Sequence, residues 1–296
     1  MGGFAGGDEG GYWDEESVPT SKNKKNANIN REKLKIDKND SSYSIKAHAK
    51  VNIFLKFTDF EDTKETLLSR VVRVDNLYDT ISFIPCKCKA FTIEGCDEIP
   101  LESNTIYKAY TELINSTIDS DIEEFFTEHK VVVTKNIPIS SGLGGASSNA
   151  AAFILLAKEI CNLILSTNEL IKIGTKIARD VPFFIYNYSS ANVSSCGEVV
   201  EQFEEQGLNF DFYKPNIVYD KTNLHNRLKK DLLIDLSLAS NWSKLDSRSI
   251  LELAADPLIL NDLYASLILL HPELKEEVKN KYFFSGSGPT FFKLLN

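Results

Sequence analysis

Residues 44–57 alternate between apolar and polar positions, Phe54 apart. Ile45, Ala47, Ala49, Val51, Ile53, Leu55 and Phe57 fall on one side; Lys46, His48, Lys50, Asn52, Phe54 and Lys56 fall on the other. A period of two predicts a β-strand with one buried face. On that pattern alone, Lys50 and Asn52 belong to a solvated outer face. Residues 59–70 read as a loop leading into the next strand. Runs at 71–74, 80–85 and 90–94 read as a meander, and 130–134 as another strand. Elsewhere the period is helical. Asn104 can cap a helix in which Ile106, Ala109, Tyr110, Leu113 and Ile114 share a face. Residues 150–165 are apolar nearly all round, which predicts a buried helix. Residues 166–169 have capping-box spacing and open another. That helix is expected to end before Pro182, which disfavours helical geometry at Val181, so 183–186 reads as a buried strand and Asp180 as a junction residue. A strand-like run follows around 215–219, then helical segments at 251–254 and 262–270. Residues 283–292 read as a hairpin around a glycine turn.

Between the strand at 130–134 and the helix from 150 stands Pro138-Ile139-Ser140-Ser141-Gly142-Leu143-Gly144-Gly145-Ala146-Ser147-Ser148-Asn149. Three glycines let the backbone turn tightly, with no Cβ to keep a ligand away. Two hydroxyls and a run of free N–H groups then fall at a helix N-terminus, which carries partial positive charge and suits a phosphate. The plainer alternative is a turn that is glycine-rich for geometry alone. The run lacks the Gly-Lys-Ser/Thr of the Walker loop, and Ser147 stands where Gly-x-Gly-x-x-Gly needs its third glycine.

Composition narrows the classes. The 296 residues are 43% apolar, enough for a substantial core, and the net charge is -9. An acidic chain argues against a broad nucleic-acid surface, while a nucleotide substrate needs only local cations. Cys86, Cys88, Cys96, Cys161 and Cys196 are odd in number and irregular in spacing, which fits reduced thiols of a cytoplasmic protein better than a disulfide framework. Cys86-Lys87-Cys88 has no second pair or nearby histidine to complete a zinc site, and no metal ligands are assigned. No run of 18 apolar residues suggests a membrane span. Residues 1–43, rich in Gly, Lys, Asn and acids, read as a flexible tail or an added leader.

Several stretches carry a resemblance. The glycine loop resembles the second motif of the GHMP kinases (galactokinase, homoserine kinase, mevalonate kinase and relatives), Pro-x-x-x-Gly-Leu-Gly followed by serines and alanines. Ala49-Lys50-Val51-Asn52-Ile53-Phe54-Leu55 resembles the first motif, and Ser285-Gly286-Ser287-Gly288 the third. Asn104-Thr105-Ile106-Tyr107-Lys108-Ala109 is similar to a family segment near the adenine. Ala178-Arg179-Asp180-Val181-Pro182-Phe183-Phe184 resembles Gly-Ala-Asp-Val-Pro-x-Phe, which bears the catalytic aspartate. Residues 190–198 and 260–263 also resemble family segments. The resemblance runs from about Ile45 to the C-terminus. It implies an α+β fold: a domain over 44–205 like the second domain of ribosomal protein S5, then a ferredoxin-like domain over 206–296, with the site between them.

By that resemblance the chemistry is phosphoryl transfer from ATP, with Mg²⁺, to an alcohol. Pro138, Ile139, Ser140, Ser141, Gly142, Leu143, Gly144, Gly145, Ala146, Ser147, Ser148 and Asn104 would hold the nucleotide, with Ser147 and Ser148 offering hydroxyls to phosphate or Mg²⁺. Asp180 would accept the proton of the substrate hydroxyl. Lys50, a cation beside it, would favour the carboxylate and orient the hydroxyl. Asn52 and Thr222 would face the substrate. The doubled glycine and the Ser-Ser-Asn-Ala-Ala ending are most similar to the branch whose acceptor is the 2-hydroxyl of a diphosphocytidyl-linked methylerythritol. The branch's Gly-Tyr-His is not matched at Lys64-Glu65-Thr66, and Asn226 stands where a second aromatic clamps the cytosine. Another GHMP small-molecule kinase, of homoserine or mevalonate type, or a non-catalytic protein on the same scaffold therefore remain open. The expected partner is a small molecule, with no nucleic acid and no membrane, for a monomer or weak homodimer.

Overall fold

The structure, a computed structural model, describes residues 35–39, 41–61, 64–117, 121–217, 220–231 and 236–295, all within one compact unit, Arg31–Asn296. The expected tail lies outside the described residues as far as residue 34. Ordered pairing begins earlier than residue 44, because β1 (Ile36–Asn39) runs antiparallel to the start of β2 (Ser42–Glu61).

Two long strands dominate the first sheet. β2 pairs along its length with β3 (Lys64–Pro85). The expected loop at 59–70 is therefore the far end of this hairpin, and the runs at 71–74 and 80–85 are parts of one strand. The rest of the chain packs around it: β4 (Ile93–Glu94), α1 (Thr105–Ser116), α2 (Ile122–Glu128), β5 (His129–Thr134), α3 (Gly145–Ile160), α4 (Thr167–Ile177), α5 (Val181–Tyr186), β6 (Ser190–Ser195) and β7 (Val199–Gln202). One end of β3 pairs with β5 and the other with β6. The third run of the expected meander contributes only β4, parallel to β5. A second, antiparallel sheet contains β8 (Phe210–Tyr213), β9 (Phe283–Phe284) and β10 (Phe291–Leu294) in the order β8-β10-β9. With it go α6 (Lys221–Asp231), α7 (Ser237–Trp242), α8 (Ser247–Leu253), α9 (Asp262–Leu270) and α10 (Lys275–Lys279).

Several expectations hold in detail. Asn104 Oδ1 accepts from Ile106 N at the start of α1. Ser166 and Glu169 close a capping box on α4. The buried helix begins at Gly145 and packs Phe153, Ile154 and Leu156 into the core.

Two further expectations fail. Residues 183–186 are helical, in α5, because Pro182 falls in the first turn, where its missing N–H is not needed. Asn187 then ends the helix in the left-handed conformation. The strand expected around 215–219 lies earlier, at β8; residues 215–217 are in no strand, and 218 and 219 lie outside the described residues.

The alternation in β2 is broken by irregular pairing at His48/Ala49 and Asn52/Phe54. A register shift sends following side chains to new neighbours. Ile45, Ala47, Leu55 and Phe57 join one core, whereas Ala49, Val51, Ile53 and Phe54 join a second core with Trp242, Phe283 and Phe292. Lys50 and Asn52, which alternation alone would put on a solvated face, are 3% and 5% exposed.

Candidate active site

The glycine loop is held from below before it turns. Asp79, fully buried, accepts from the N–H groups of Asn136 and Ile137 at 2.7 and 2.8 Å and pairs with the Lys135 ammonium. Gly142 and Gly144 have φ of +79° and +76°, a region that L side chains enter only at a cost. Leu143 is buried beneath the loop, and its carbonyl accepts from Lys50 N at 2.9 Å. The Ser148 N–H bonds to Gly144 O, so the N–H groups of Gly145, Ala146 and Ser147 stand at the open end of α3. Thr105 Oγ1 donates to Ala146 O at 2.7 Å and ties the start of α1 to that end.

The second glycine turn closes over the first. Thr290 N donates to Ser141 O at 3.1 Å. A Cβ at Gly142 would stand 2.4 Å from Ser285 O and 2.6 Å from Gly288 N. A Cβ at Gly286 would stand 2.8 Å from Lys50 Nζ, and one at Gly144 would stand 2.9 Å from Lys50 Cγ. Both turns are thus wrapped around one lysine.

That lysine faces the candidate base. Lys50 Nζ lies 3.4 Å from Asp180 Oδ2 and donates to Asn52 Oδ1 at 2.5 Å. Asn52 Nδ2 donates to Ser69 Oγ at 2.8 Å, and Ser69 donates to Phe54 O at 2.6 Å. The chain of contacts fixes the ammonium toward Asp180, whose side chain is 37% exposed. Its hydroxyl member, Ser69, carries no sequence signal: it is a serine in a strand.

These groups line a cavity of about 790 Å³. Lys50, Asn52, Asp180 and Asn104 line it, as do Pro138, Ile139, Ser140, Ser141, Gly142, Gly144, Gly145, Ala146 and Ser147. Leu143 and Ser148 do not. Ser148, 2% exposed, lines a small cleft behind the loop beside His48 and Arg73. Asn149 faces the main cavity with a buried Oδ1 that has no hydrogen-bond partner among the described residues. Free N–H groups at the helix end and a glycine surface that a Cβ would fill both fit a nucleotide phosphate. Among the described residues no group of three or more His, Cys, Asp or Glu converges.

The other wall is mostly apolar, with Leu55, Phe57, Leu67, Val71, Val193 and Leu263, and it carries a charged cluster. Arg179 Nη2 donates to Glu65 Oε2 at 3.2 Å, and His225 Nδ1 lies 3.6 Å from the same oxygen. Arg179, which replaces a family alanine, is thus balanced by Glu65 on β3. Burial lowers the His225 pKa, and Glu65 opposes that shift; the His225 Nε2 is buried without a hydrogen-bond partner among the described residues. Thr222 is exposed and outside the lining, and its N–H is taken by Asp220 Oδ1. The cavity-facing pair on α6 is one position earlier, Lys221 and His225. Their spacing of four is the spacing expected of Thr222 and Asn226, on a helix that the sequence reading does not place.

Comparison with known proteins identifies the family. Residues 104–188 match the model for the GHMP kinase N-terminal domain. The 4-diphosphocytidyl-2-C-methyl-D-erythritol kinase of a Sulfurovum species is 48% identical over 254 residues, covering 85% of this chain and 99% of the relative. That of Sulfurimonas denitrificans is 40% identical over 255 residues, covering 84% and 96%. A crystal structure of 4-(cytidine 5'-diphospho)-2C-methyl-D-erythritol kinase superposes with a TM-score of 0.67 at 22% identity, covering 86% of this chain and 90% of the other, and establishes the α+β GHMP kinase fold. No helix among the described residues is long and apolar enough to cross a membrane. The chain belongs to the 4-diphosphocytidyl-2-C-methyl-D-erythritol kinases, a branch of the GHMP kinase family.

Proposed function

We propose that this chain transfers the γ-phosphoryl group of ATP to the 2-hydroxyl of 4-diphosphocytidyl-2-C-methyl-D-erythritol. The observation that carries the proposal is the close approach of Lys50 and Asp180 in a cavity walled by both glycine turns. Loop residues 138–147 hold the nucleotide phosphates, and Asn104 lies at the end toward the adenine. Ser147 is the loop hydroxyl in position for a phosphate or a Mg²⁺ ion. Among the described residues no cluster of carboxylates or histidines cages a metal, and Mg²⁺ would arrive bound to the phosphates and neutralise their charge.

Asp180 accepts the proton of the acceptor hydroxyl while its oxygen bonds to the γ-phosphorus and the bond to ADP breaks. Lys50, fixed by Asn52 and Ser69, stabilises the negative charge at that point. Catalysis then rests mainly on positioning and charge. The apolar wall and the cluster of Glu65, Arg179, Lys221 and His225 receive the acceptor.

The test is ATP consumption by the purified protein with Mg²⁺. Acceptors are the diphosphocytidyl alcohol, homoserine, mevalonate and galactose, with a control lacking any. Turnover with the first alone is expected. Turnover with another alcohol and not with the first would overturn the acceptor assignment, and no turnover with any would overturn the reaction.

A further inference from the structure

We propose that Lys221, outside the three nucleotide motifs, selects a diphosphate-linked alcohol by binding the diphosphate of the acceptor beside Asp180. The proposal rests on the acceptor reading above and names the residue that enforces it.

Lys221 opens α6 and lines the same cavity as Lys50 and Asp180. The other cations there are committed. Lys50 is engaged by Asp180 and Asn52, Arg179 by Glu65, and Lys135 by Asp79. The neighbouring carboxylate, Asp220, turns back into its own helix and accepts from the N–H groups of Thr222 and Asn223 at 2.9 and 3.1 Å. Among the described residues, Lys221 has neither a hydrogen bond nor an ion pair.

The chemistry of the acceptor calls for such a group. Its diphosphate enters a cavity whose phosphate loop is occupied by ATP, and an anion taken out of water without a partner is costly. A lysine ammonium binds phosphate as a point charge, without the fixed fork of an arginine, and so suits a group that must be held near a reacting centre. One helical turn on, His225 faces the same cavity and can meet the far part of the same ligand. Surrounding protein lowers the Lys221 pKa, with Asp180 opposing; a bound anion favours the charged form.

The test measures binding of cytidine diphosphate and of cytidine by calorimetry, with the nucleotide site saturated by a non-hydrolysable ATP analogue. The wild-type chain should prefer cytidine diphosphate by about tenfold or more. Lys221→Met should remove that preference, and Lys221→Arg should keep most of it. In turnover, Lys221→Met should raise the acceptor KM while leaving the ATP KM unchanged. A Lys221→Met chain that keeps the preference, or a wild-type chain that has none, would overturn the proposal. Failure of the wild-type chain to phosphorylate the diphosphocytidyl alcohol would instead overturn the function, and the binding ratio would still decide the role of Lys221.

Discussion

Asn261 holds Gly286 from behind: its side-chain amide donates to the carbonyls of Gly286 and Phe284 at 2.9 and 3.0 Å, and its oxygen accepts from Leu263 N. One buried side chain therefore starts α9 and fixes the turn that lies against Lys50. Asn261→Ala leaves two buried carbonyls unpaired, which costs about 1–3 kcal/mol each at most. Urea denaturation should show the loss of stability, and the ATP KM should rise several-fold. A stable variant with wild-type ATP KM would separate Asn261 from the nucleotide site.

Asp180→Ala removes the proposed proton acceptor and leaves the phosphate loop untouched. Loss of a general base lowers turnover by about 10²–10⁴-fold. The kcat should fall by that factor while ATP affinity, measured by titration, stays near wild type. Near-normal kcat would remove Asp180 from the mechanism.

Gly144→Ala forces a methyl group into left-handed backbone, 2.9 Å from Lys50 Cγ and 3.0 Å from Phe184 Cζ. The backbone strain alone is about 1–2 kcal/mol. Both kcat and the ATP KM should worsen, since the loop and Lys50 must move apart together. Rate measurements with saturating acceptor would reveal an effect on one alone, which would contradict that coupling.

Arg70 is fully buried and joins distant parts of the chain. It donates to the carbonyls of Ser243 and Leu245 and to Asn192, lies 3.7 Å from Glu205, and stacks on Phe203. Burial pulls its pKa down to about 10, with Glu205 opposing. Arg70→Met should cost about 3–5 kcal/mol, because it leaves Glu205 buried without its cation. Pairing it with Glu205→Gln should recover part of the loss in urea denaturation; no recovery would mean that the carbonyl contacts carry the cost.

Burial, followed by the charge of Arg73, lowers the His48 pKa from 6.5, while Asp75 opposes and Lys46 adds a small push in the same direction. The unfolded chain takes up that proton near its ordinary pKa and the folded chain resists it. Stability is therefore complete above that value and falls as the pH drops below it. Thermal melts between about pH 7.5 and pH 5.5 should show this decline, and His48→Gln should make it shallower. An unchanged slope would assign the decline to other groups, His225 among them.

The glycine loop, the segments of Lys50 and Asp180 and the capped helices could be read from the chain because each rests on local chemistry. A cap needs only its own next few residues, and Ser166 and Glu169 supply both halves of theirs. What could not be read depends on register or on distant partners. The alternation in β2 gave no warning that irregular pairing would bury Lys50 and Asn52. Pro182 signalled a break, and the structure uses it to begin a helix. Glu65 and Arg179 are separate departures from the family pattern in sequence, yet in space they compensate each other. Lys221 and His225 differ from the expected pair by one position, a shift that only a helix placed against the cavity reveals.

The hydrogen bond between Ser285 and Gly142 joins residues 143 positions apart, and it bears on the order in which the site can be made. During synthesis the glycine loop leaves the ribosome with its strand and helix, but the turn that braces it is still untranslated. Until 285–290 emerge, Gly142 has nothing to close against and Lys50 lacks one of its two walls. Nucleotide binding is therefore expected to need both turns: a chain cut before residue 285 would carry the loop and Asp180 without the turn that closes over Gly142.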